Sequence, residues 1–405
     1  MNAICLVLDR LHAGYLGPYG NSWIETPAFN RLAGQALSFD HALVDSPELE
    51  RLYRSYWQGW HSLCQDEPPD DRSSLPALLR NAGVHTALLT DDRAVAEHSL
   101  AMDFDELIRL DPPWESKGAE QIEQTHLAKC CVEAIDWLGS APEPFLLWCH
   151  LAGLGTVWDA PPEFRQAYWE EGDPPPLTSA DVPESMLPED HDPDELLNVC
   201  HAYAGQVSLL DTCLGALLEF VDSTAFAAQT LLALTSARGF PLGEHRRVGP
   251  CNTALYVELV HVPLMLRLPN ALAAAARSQV LVEPADLWAT LLERFGVSDR
   301  PPSPTALSLL PVIRQEAPTW RDRLCIAGAG TDRAIRTPAW YLRSAAASEL
   351  YTKPDDRWEV NDVSDRCRQV VRPLEEALQL FEQALQSGTV RDLPPLEEVL
   401  LSGLE

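Results

Sequence analysis

The chain has 405 residues, 46% of them hydrophobic, and a formal net charge of −30 at pH 7. This length is sufficient for one large domain with a buried core and a smaller second one. The negative charge argues against nucleic acid and anionic membranes as partners, because both repel such a surface. The apolar stretches are of strand length, so we expect no membrane-spanning segment.

Strand-like and helix-like segments alternate along the first 300 residues. Continuous apolar runs predict strands at residues 3–8, 84–90, 145–150, 230–235 and 262–268. Helical spacing and capping residues predict helices at 26–35, 74–81, 122–139, 200–223 and 283–295. Thr26 is the candidate N-cap of the first helix. This order is typical of an α/β protein with a mainly parallel sheet covered by helices on both faces.

Two further segments have a different composition. Residues 168–196 hold ten acidic side chains and no Lys or Arg, so we expect a mobile surface insertion. After residue 301 the pattern predicts antiparallel strands at 333–343 and 349–352 and a closing helix at 370–388. We therefore predict an α/β domain of residues 1–300 that contains the insertion, and a small C-terminal α+β subdomain of residues 301–405.

The ten cysteines are scattered along the chain without a zinc-type spacing. We interpret them as buried apolar residues and not as disulfides or metal ligands. The chain runs from Met1 directly into a strand pattern, with no basic region or cleavage site. We therefore expect a cytoplasmic protein.

A series of motifs follows these elements in a fixed order. The first strand ends at Asp9 before a Gly/Pro-rich turn, residues 203–215 carry the pattern YxxxVxxxD, and residues 281–296 carry the pattern LVxPxDLxxTLL. Together with the segment RAIRTPAW in the C-terminal part, they resemble the sulfatase family of the alkaline phosphatase superfamily. The resemblance covers nearly the whole chain. It implies the fold of that family, with a predominantly parallel central sheet and a small C-terminal α+β subdomain.

The resemblance also implies a metal site, but most of its positions hold residues that cannot bind a cation. A sulfatase holds its substrate with a divalent metal bound to hard oxygen ligands. Of the four positions that the resemblance assigns to this metal, Asp9 keeps its carboxylate, while Arg10, Ala237 and Arg238 stand at the other three. Since a buried Asp9 would need another cation, we expect Arg10 or Arg238 to pair with it.

The positions that the resemblance assigns to catalysis are replaced as well. Leu49 stands where the Cys or Ser nucleophile belongs and Tyr53 stands at its Arg, although a shifted register would offer Ser55 instead. Gly155 stands at a His position, and no lysine occurs between Lys129 and Lys353. We therefore predict a vestigial pocket with no catalytic residue, metal or cofactor. Its members are Asp9, Arg10, Leu49, Tyr53, His150, Gly155, Ala237, Arg238 and His245.

The sequence leads to two hypotheses about function. The first is a pseudoenzyme, an inactive sulfatase-like protein that binds a small anionic ligand or a protein partner. Arg238, Arg246 and Arg247 are candidates for an anion pocket, and the acidic insertion or loop tryptophans are candidates for a protein interface. Those tryptophans are Trp57, Trp60, Trp114 and Trp169. The alternative is an active hydrolase of sulfate or phosphate esters with a rearranged site, centred on Asp9, His150, Arg238 and His245.

Overall fold

The computed structural model describes residues 1–64, 74–113, 117–251, 253–316 and 320–403. The strands are β1 Asn2–Leu8, β2 Leu37–Ala42, β3 His85–Thr90, β4 Glu106–Arg109, β5 Phe145–Leu151, β6 Ser185–Met186, β7 Thr230–Thr235, β8 Arg247–Val248, β9 Leu264–Arg267, β10 Ala276–Val282, β11 Leu324–Ala327, β12 Arg333–Arg336, β13 Trp340–Ser344 and β14 Ser348–Thr352. The α-helices are α1 Pro27–Gln35, α2 Leu49–Gln58, α3 Leu75–Asn81, α4 Arg93–Ala96, α5 His126–Leu138, α6 Gly153–Thr156, α7 Pro162–Gln166, α8 Pro193–Ser223, α9 Val257–Val260, α10 Pro284–Arg294, α11 Leu310–Ile313, α12 Arg368–Ser387 and α13 Glu398–Ser402.

The central sheet has eight strands in the order β10-β2-β9-β7-β1-β5-β3-β4. Its middle is parallel: β1 pairs with β5 and β7, and β3 pairs with β5 and β4. Strand β9 is antiparallel to both β7 and β2. The strand β1 is buried at every residue, as a parallel strand covered on both faces must be. The predicted α/β fold with a predominantly parallel sheet is confirmed.

Two compact units can be distinguished. The first comprises residues 1–40, 83–252 and 262–278, and the second comprises residues 41–82, 253–261 and 279–405. The division therefore differs from the predicted boundary at residue 300. In the second unit, helix α10 packs against α2, with the Trp288 ring in the space where Gly59 has no side chain. This packing joins the stretch around residue 50 to the C-terminal part.

The second unit contains the predicted small antiparallel sheet. Its strands are ordered β11-β12-β13-β14, and helix α12 covers one face of them. The helix contributes Val370, Leu374, Leu378 and Phe381 to a core shared with the sheet. These positions recur at the spacing of an amphipathic helix. Helix α12 therefore buries its apolar face against the sheet and exposes its opposite face to solvent.

Helix α8 crosses the core of the first unit. It begins at Pro193, earlier than the predicted start at residue 200, because the Asp192 side chain accepts a hydrogen bond from the Asp194 N–H and caps it. By length and composition alone α8 could cross a membrane, contrary to the expectation that all apolar stretches are of strand length. However, 67% of its apolar window is buried inside the protein, as in the core helix of a globular unit.

The acidic segment at residues 168–196 is anchored in its middle. The buried Arg165 guanidinium donates hydrogen bonds to the carbonyl oxygens of Leu177, at 2.9 Å, and Ser179, at 2.7 Å. The Trp158 N–H donates to the carbonyl of Ala180, which is fully buried. The expected surface insertion is therefore attached to the first unit at this point, while most of its side chains remain at least partly exposed.

Candidate functional site

The carboxyl end of strand β1 carries a buried ion pair. Asp9 follows β1 directly, and its carboxylate binds Arg238 through two hydrogen bonds, Nε to Oδ1 at 3.2 Å and Nη2 to Oδ2 at 2.5 Å. Burial alone would raise the pKa of Asp9, but the charge and hydrogen bonds of Arg238 hold that pKa well below its usual range. Asp9 is therefore ionised at neutral pH. Of the two expected partners, Arg238 forms the pair.

Arg10 takes a different role beside this pair. Its backbone has a φ of 64°, in the left-handed region, and its N–H donates to Asp9 Oδ1 at 3.0 Å. The Tyr203 hydroxyl holds this turn by donating to the Arg10 carbonyl at 2.7 Å. Burial, and then the charge of Arg238, lower the pKa of the Arg10 guanidinium to about 10. The stem of Arg10 runs past Gly155, where an added Cβ would lie 2.8 Å from Arg10 Cγ.

His150 is the last residue but one of strand β5 and lies next to the same pair. The imidazole is fully buried, and its Nε2 lies 3.9 Å from Asp92 Oδ2. Burial lowers the pKa of His150, although the charges of Asp9 and Asp92 act in the opposite direction. The neutral imidazole is therefore the favoured form at neutral pH. A ring nitrogen of His150 and a carboxylate oxygen of Asp9 lie within 4.8 Å of each other, so the structure brings these two predicted residues together.

Leu49 and Tyr53 lie in the second unit, on helix α2. Leu49 is its first residue, and the Tyr53 ring is fully buried, with its centroid 4.3 Å from that of Trp57. Ser55, which a shifted register would make the nucleophile, is also fully buried. Its Oγ lies 2.5 Å from a carboxylate oxygen of Asp45 and 2.9 Å from the Trp60 carbonyl oxygen. These contacts give Ser55 a structural role.

The remaining predicted residues of the first unit have contacts of their own, apart from the Asp9–Arg238 pair. Ala237, which precedes Arg238 in the chain, is fully buried. His245 lies in a tight turn with a φ of 51°, and its carbonyl accepts a hydrogen bond from Arg247 at 3.2 Å. Arg246 is exposed and pairs with Glu189 at 3.2 Å. The three arginines thus bind different partners.

Two other groups of predicted residues can be located. Trp57 is fully buried and Trp60 is half-buried, while Trp169 is 41% exposed, so of these three Trp169 fits a surface anchor best. Trp114 lies outside the described residues. Lys129 is exposed on α5, and Lys353 forms an ion pair with Glu359 at 3.0 Å.

Sequence reasoning missed the acidic residues that follow strand β3. Thr90 stands opposite His150 in the parallel β3–β5 register, so Asp91 and Asp92 come next at the same edge of the sheet. Asp92 caps helix α4, and Asp91 accepts hydrogen bonds from the Ala152 N–H at 2.7 Å and the His126 ring at 2.8 Å. Two consecutive acids at the carboxyl end of a predicted parallel strand were the signal that could have revealed them.

The positions that the sulfatase resemblance assigns to a metal do not suit a hard divalent cation. Only Asp9 among them carries a side-chain oxygen, and Ca²⁺ requires six to eight oxygen ligands. Both Asp9 carboxylate oxygens already bind the Arg238 guanidinium. A different set of three groups, Asp9, Asp92 and His150, has ligand atoms within 4.8 Å of one another. That set could hold a metal only if the Asp9–Arg238 pair opened.

Comparison with known proteins agrees with the fold. The model of the sulfatase family matches residues 1–297. The chain is 27% identical over 216 residues to N-acetylglucosamine-6-O-sulfatase of Bacteroides thetaiotaomicron, covering 50% of this chain and 38% of that protein. It is 23% identical over 349 residues to human iduronate 2-sulfatase, covering 68% of this chain and 60% of that protein. The chain thus spans between 38% and 60% of these two curated relatives.

Solved structures show the same architecture. A phosphonate monoester hydrolase of Agrobacterium radiobacter superposes with a TM-score of 0.76 at 16% identity, covering 97% of this chain and 96% of that one. A protein solved in complex with its substrate D-glucosamine-2-N,6-O-disulfate superposes with a TM-score of 0.78 at 18% identity, covering 98% and 99%. At this level of identity the likeness establishes the fold.

Proposed function

Because the chain belongs to the sulfatase family, we propose that it has kept the fold of a sulfatase, has lost ester hydrolysis, and acts by binding a small anionic ligand or a protein partner. The observation that carries this proposal is the ion pair between Asp9 and Arg238. In it a guanidinium supplies the positive charge that the family resemblance assigns to a divalent cation. An arginine cannot act as a Lewis acid on a sulfate ester, so the exchange removes a part of the chemistry that the fold was built to support.

The other replaced positions support the same proposal. Leu49 offers no oxygen or sulfur for attack on an ester, and its side chain cannot be converted into an aldehyde hydrate. No lysine occurs between Lys129 and Lys353, the span in which the resemblance places proton donors. Arginine is a poor substitute because its guanidinium remains protonated at physiological pH. The loss therefore affects the cation, the nucleophile and the acid together.

We also propose that the protein works in a reducing compartment, the cytoplasm. All ten cysteines are free, and most of them are buried. Disulfides form and persist in oxidising compartments, whereas free buried thiols are common where glutathione keeps them reduced.

The test is metal content together with turnover. We would incubate the wild-type protein with Ca²⁺, Mg²⁺, Mn²⁺ and Zn²⁺ in excess, remove unbound metal, and measure elemental content and hydrolysis of an aryl sulfate and an aryl phosphate. We expect no stoichiometric metal and no turnover. Arg238→Asn should gain affinity for a divalent cation, because it removes the competing charge and adds an oxygen ligand. The matched control, Arg246→Asn, changes an exposed arginine in the same loop and should bind no metal.

The proximity of Asp9, Asp92 and His150 favours a second candidate, an active ester hydrolase with a rearranged site. In that case the wild-type protein would bind a stoichiometric metal and hydrolyse one of the two esters. Asp92→Asn and His150→Ala would then lose both the metal and the turnover. That result would overturn the proposal of an inactive protein.

A further inference from the structure

A basic cavity lies in the second unit, and the lining residues that it takes from helix α2 are not among the positions that the sulfatase resemblance assigns. It has a volume of about 430 Å³, within the range of small-molecule sites. Its walls are the outer face of helix α2, the chain that follows this helix, and the turn before strand β12. The lining residues are Arg51, Arg54, Trp60, His61, Ser62, Leu63, Cys64, Gly330 and Arg333.

The charged residues that line this cavity are positive, and the glutamates that pair with them lie outside the lining. Three arginines face the cavity, and among its described lining residues there is no Asp or Glu, although the chain carries a net charge of −30. Long-range repulsion would keep a small anion away from most of this surface. A local cluster of guanidinium groups is the feature that can overcome it, since arginine matches the oxygens of sulfate and phosphate with paired hydrogen bonds.

Each of these arginines keeps donors available for a ligand. Arg51 binds Glu48 through Nε at 3.1 Å, and Arg54 binds Glu50 through Nη2 at 3.4 Å. Arg333 binds Glu382 through Nε at 2.5 Å and donates to carbonyl oxygens through Nη1. A guanidinium has five N–H donors, so these contacts use only part of each group. The glutamates hold the guanidinium groups from the side and reduce the cost of ordering them.

Ser62 supplies an independent indication of a ligand site. The residue is 8% exposed, and its Oγ has no hydrogen-bond partner among the described residues. Its backbone N–H, by contrast, donates to Asp45 Oδ2 at 2.8 Å, so the residue is held in place. A buried hydroxyl without a partner costs free energy, and an anion in the cavity would supply the acceptor.

We propose that this cavity binds the sulfate or phosphate group of a small molecule, with Arg51, Arg54 and Arg333 as cationic contacts and Ser62 as a neutral donor. This deepens the proposed function because it names a ligand class and a place for it. It rests on the proposed function in one respect, namely that the bound ester is not hydrolysed.

The test is calorimetric titration of the full chain, at low ionic strength, with four probes: inorganic sulfate, inorganic phosphate, glucosamine 6-sulfate and glucose 6-phosphate. We expect at least one probe to bind with one site per chain. Tighter binding of the esters would identify an organic ligand, whereas equal binding of the inorganic ions would identify the free anion; either result supports the proposal. Arg54→Gln and Arg333→Gln should each weaken binding about tenfold or more, because each removes charge-assisted hydrogen bonds.

Arg93→Gln is the matched control, because Arg93 on helix α4 pairs with Glu97 at the same i,i+4 spacing as Arg54 with Glu50. It should bind the probes as the wild type does. If Arg333→Gln does not fold, Arg54→Gln, on the outer face of α2, still decides the question. No binding of any probe, or unchanged binding in Arg54→Gln, would refute the cavity. Release of sulfate from glucosamine 6-sulfate with intact binding would refute only the claim that the protein is inactive.

Discussion

Gly155 and Arg10 depend on each other sterically. A Cβ at position 155 would lie 2.8 Å from Arg10 Cγ, a distance that real Cβ atoms do not adopt. The buried Arg10 side chain therefore fits only because residue 155 has no side chain. A histidine at 155, as the sulfatase resemblance would have it, and an arginine at 10 cannot occupy this space together without a shift of one of them.

This dependence predicts a non-additive pair of substitutions. Gly155→Ala should lower the free energy of unfolding by about 1–3 kcal/mol, because the added methyl group overpacks the space against Arg10. In an Arg10→Ala background the same change should cost much less. Urea denaturation of the two single variants and the double variant measures the coupling. Gly34→Ala in helix α1 is the control, since its Cβ would meet no atom within 4 Å. Equal costs of Gly155→Ala in both backgrounds would contradict the steric argument.

The Asp9–Arg238 pair predicts a pH-dependent effect on stability. Arg238→Ala should lower the free energy of unfolding at pH 7 by about 3–5 kcal/mol, because it leaves a buried carboxylate without its partner. In the wild type the pKa of Asp9 is lowered below its ordinary value of 3.8, so its contribution is present above that pH and is lost as the pH falls further. In the variant burial would raise this pKa, so the carboxyl should take up a proton more readily.

The cost of Arg238→Ala should therefore shrink as the pH falls from 7 toward 4. Urea denaturation of both proteins across this range, with Arg246→Ala as the exposed control, measures the change. A cost that stays constant with pH would mean that the variant loses packing rather than a charge partner.

The sequence predicted that Asp9, Arg238 and His150 meet at the end of β1, but not how they share the space. Asp9 and Arg238 follow strands β1 and β7 of the same sheet, and His150 is the last residue but one of β5. The left-handed backbone of Arg10 was not predicted either, because its residue type does not favour that conformation. Asp92 went unnoticed because a pair of acids after a strand is also an ordinary helix cap.

At the scale of elements, helix α8 organises the first unit through the residues of its YxxxVxxxD pattern. Tyr203 ties the turn after β1, accepting from the His12 N–H at 2.8 Å and donating to the Arg10 carbonyl. Val207 is fully buried in the core. Asp211 accepts hydrogen bonds from the N–H groups of Ala28 at 3.0 Å and Phe29 at 2.9 Å.

The Asp211 contacts correct the prediction that Thr26 caps helix α1. The Thr26 side chain makes no capping bond and instead accepts from the Gly17 N–H at 3.0 Å. The cap comes from a residue on a different helix, which local sequence patterns do not reveal. The N–H groups of Ala28 and Phe29 belong to the first turn of α1, where a helix has no backbone acceptors for its amide donors.

This cap predicts a graded effect of substitutions at residue 211. Asp211→Ala should lower the free energy of unfolding by about 1–2 kcal/mol, as the loss of an N-cap acceptor does. Asp211→Asn keeps one acceptor oxygen and should cost less. Burial raises the pKa of Asp211, which reduces the penalty of losing its charge. Chemical denaturation of both variants gives the order, and an equal loss for the two would show that charge, not capping, is what matters.

Sequence patterns predicted the buried parallel strands well and the elements at the margins poorly. Strands β1, β5 and β7 are continuous apolar runs. Such short runs are typical of parallel strands that are buried on both faces. Strand β2 was missed because Asp40 and His41 interrupt its apolar pattern, and its pairing with β9 is long-range. Helix α2 was missed because its aromatic residues have only moderate helix propensity, and contacts with α10 stabilise it.

At the scale of the whole molecule, the positive charges are concentrated in arginine and several of them are used internally. The chain has 30 Lys and Arg residues, of which only three are lysines, against 60 Asp and Glu. Arg238, Arg321 and Arg267 pair with Asp9, Asp286 and Asp222 in buried or half-buried surroundings. Such pairs fix geometry, because a planar guanidinium binds a carboxylate in defined orientations. The charges that reach the surface are consequently mostly negative, which makes the basic cavity lined by Arg51, Arg54 and Arg333 stand out.

The cysteines provide a test of the native packing across both units. Six of the ten are buried, namely Cys5, Cys130, Cys131, Cys149, Cys213 and Cys325, and the other four are half-buried. Burial raises the pKa of the Cys131 thiol to about 11 and those of the other buried thiols further, which suppresses the reactive thiolate.

We expect a disulfide reagent such as DTNB at pH 8 to modify no more than four thiols quickly in the native protein, and all ten after denaturation without reductant. The slow thiols should react at a rate that follows unfolding, because a buried thiol becomes accessible only when its surroundings open. A fast native count above four would contradict the packing of the core. A denatured count below ten would reveal disulfides, and would remove the support that free thiols give to a reducing compartment.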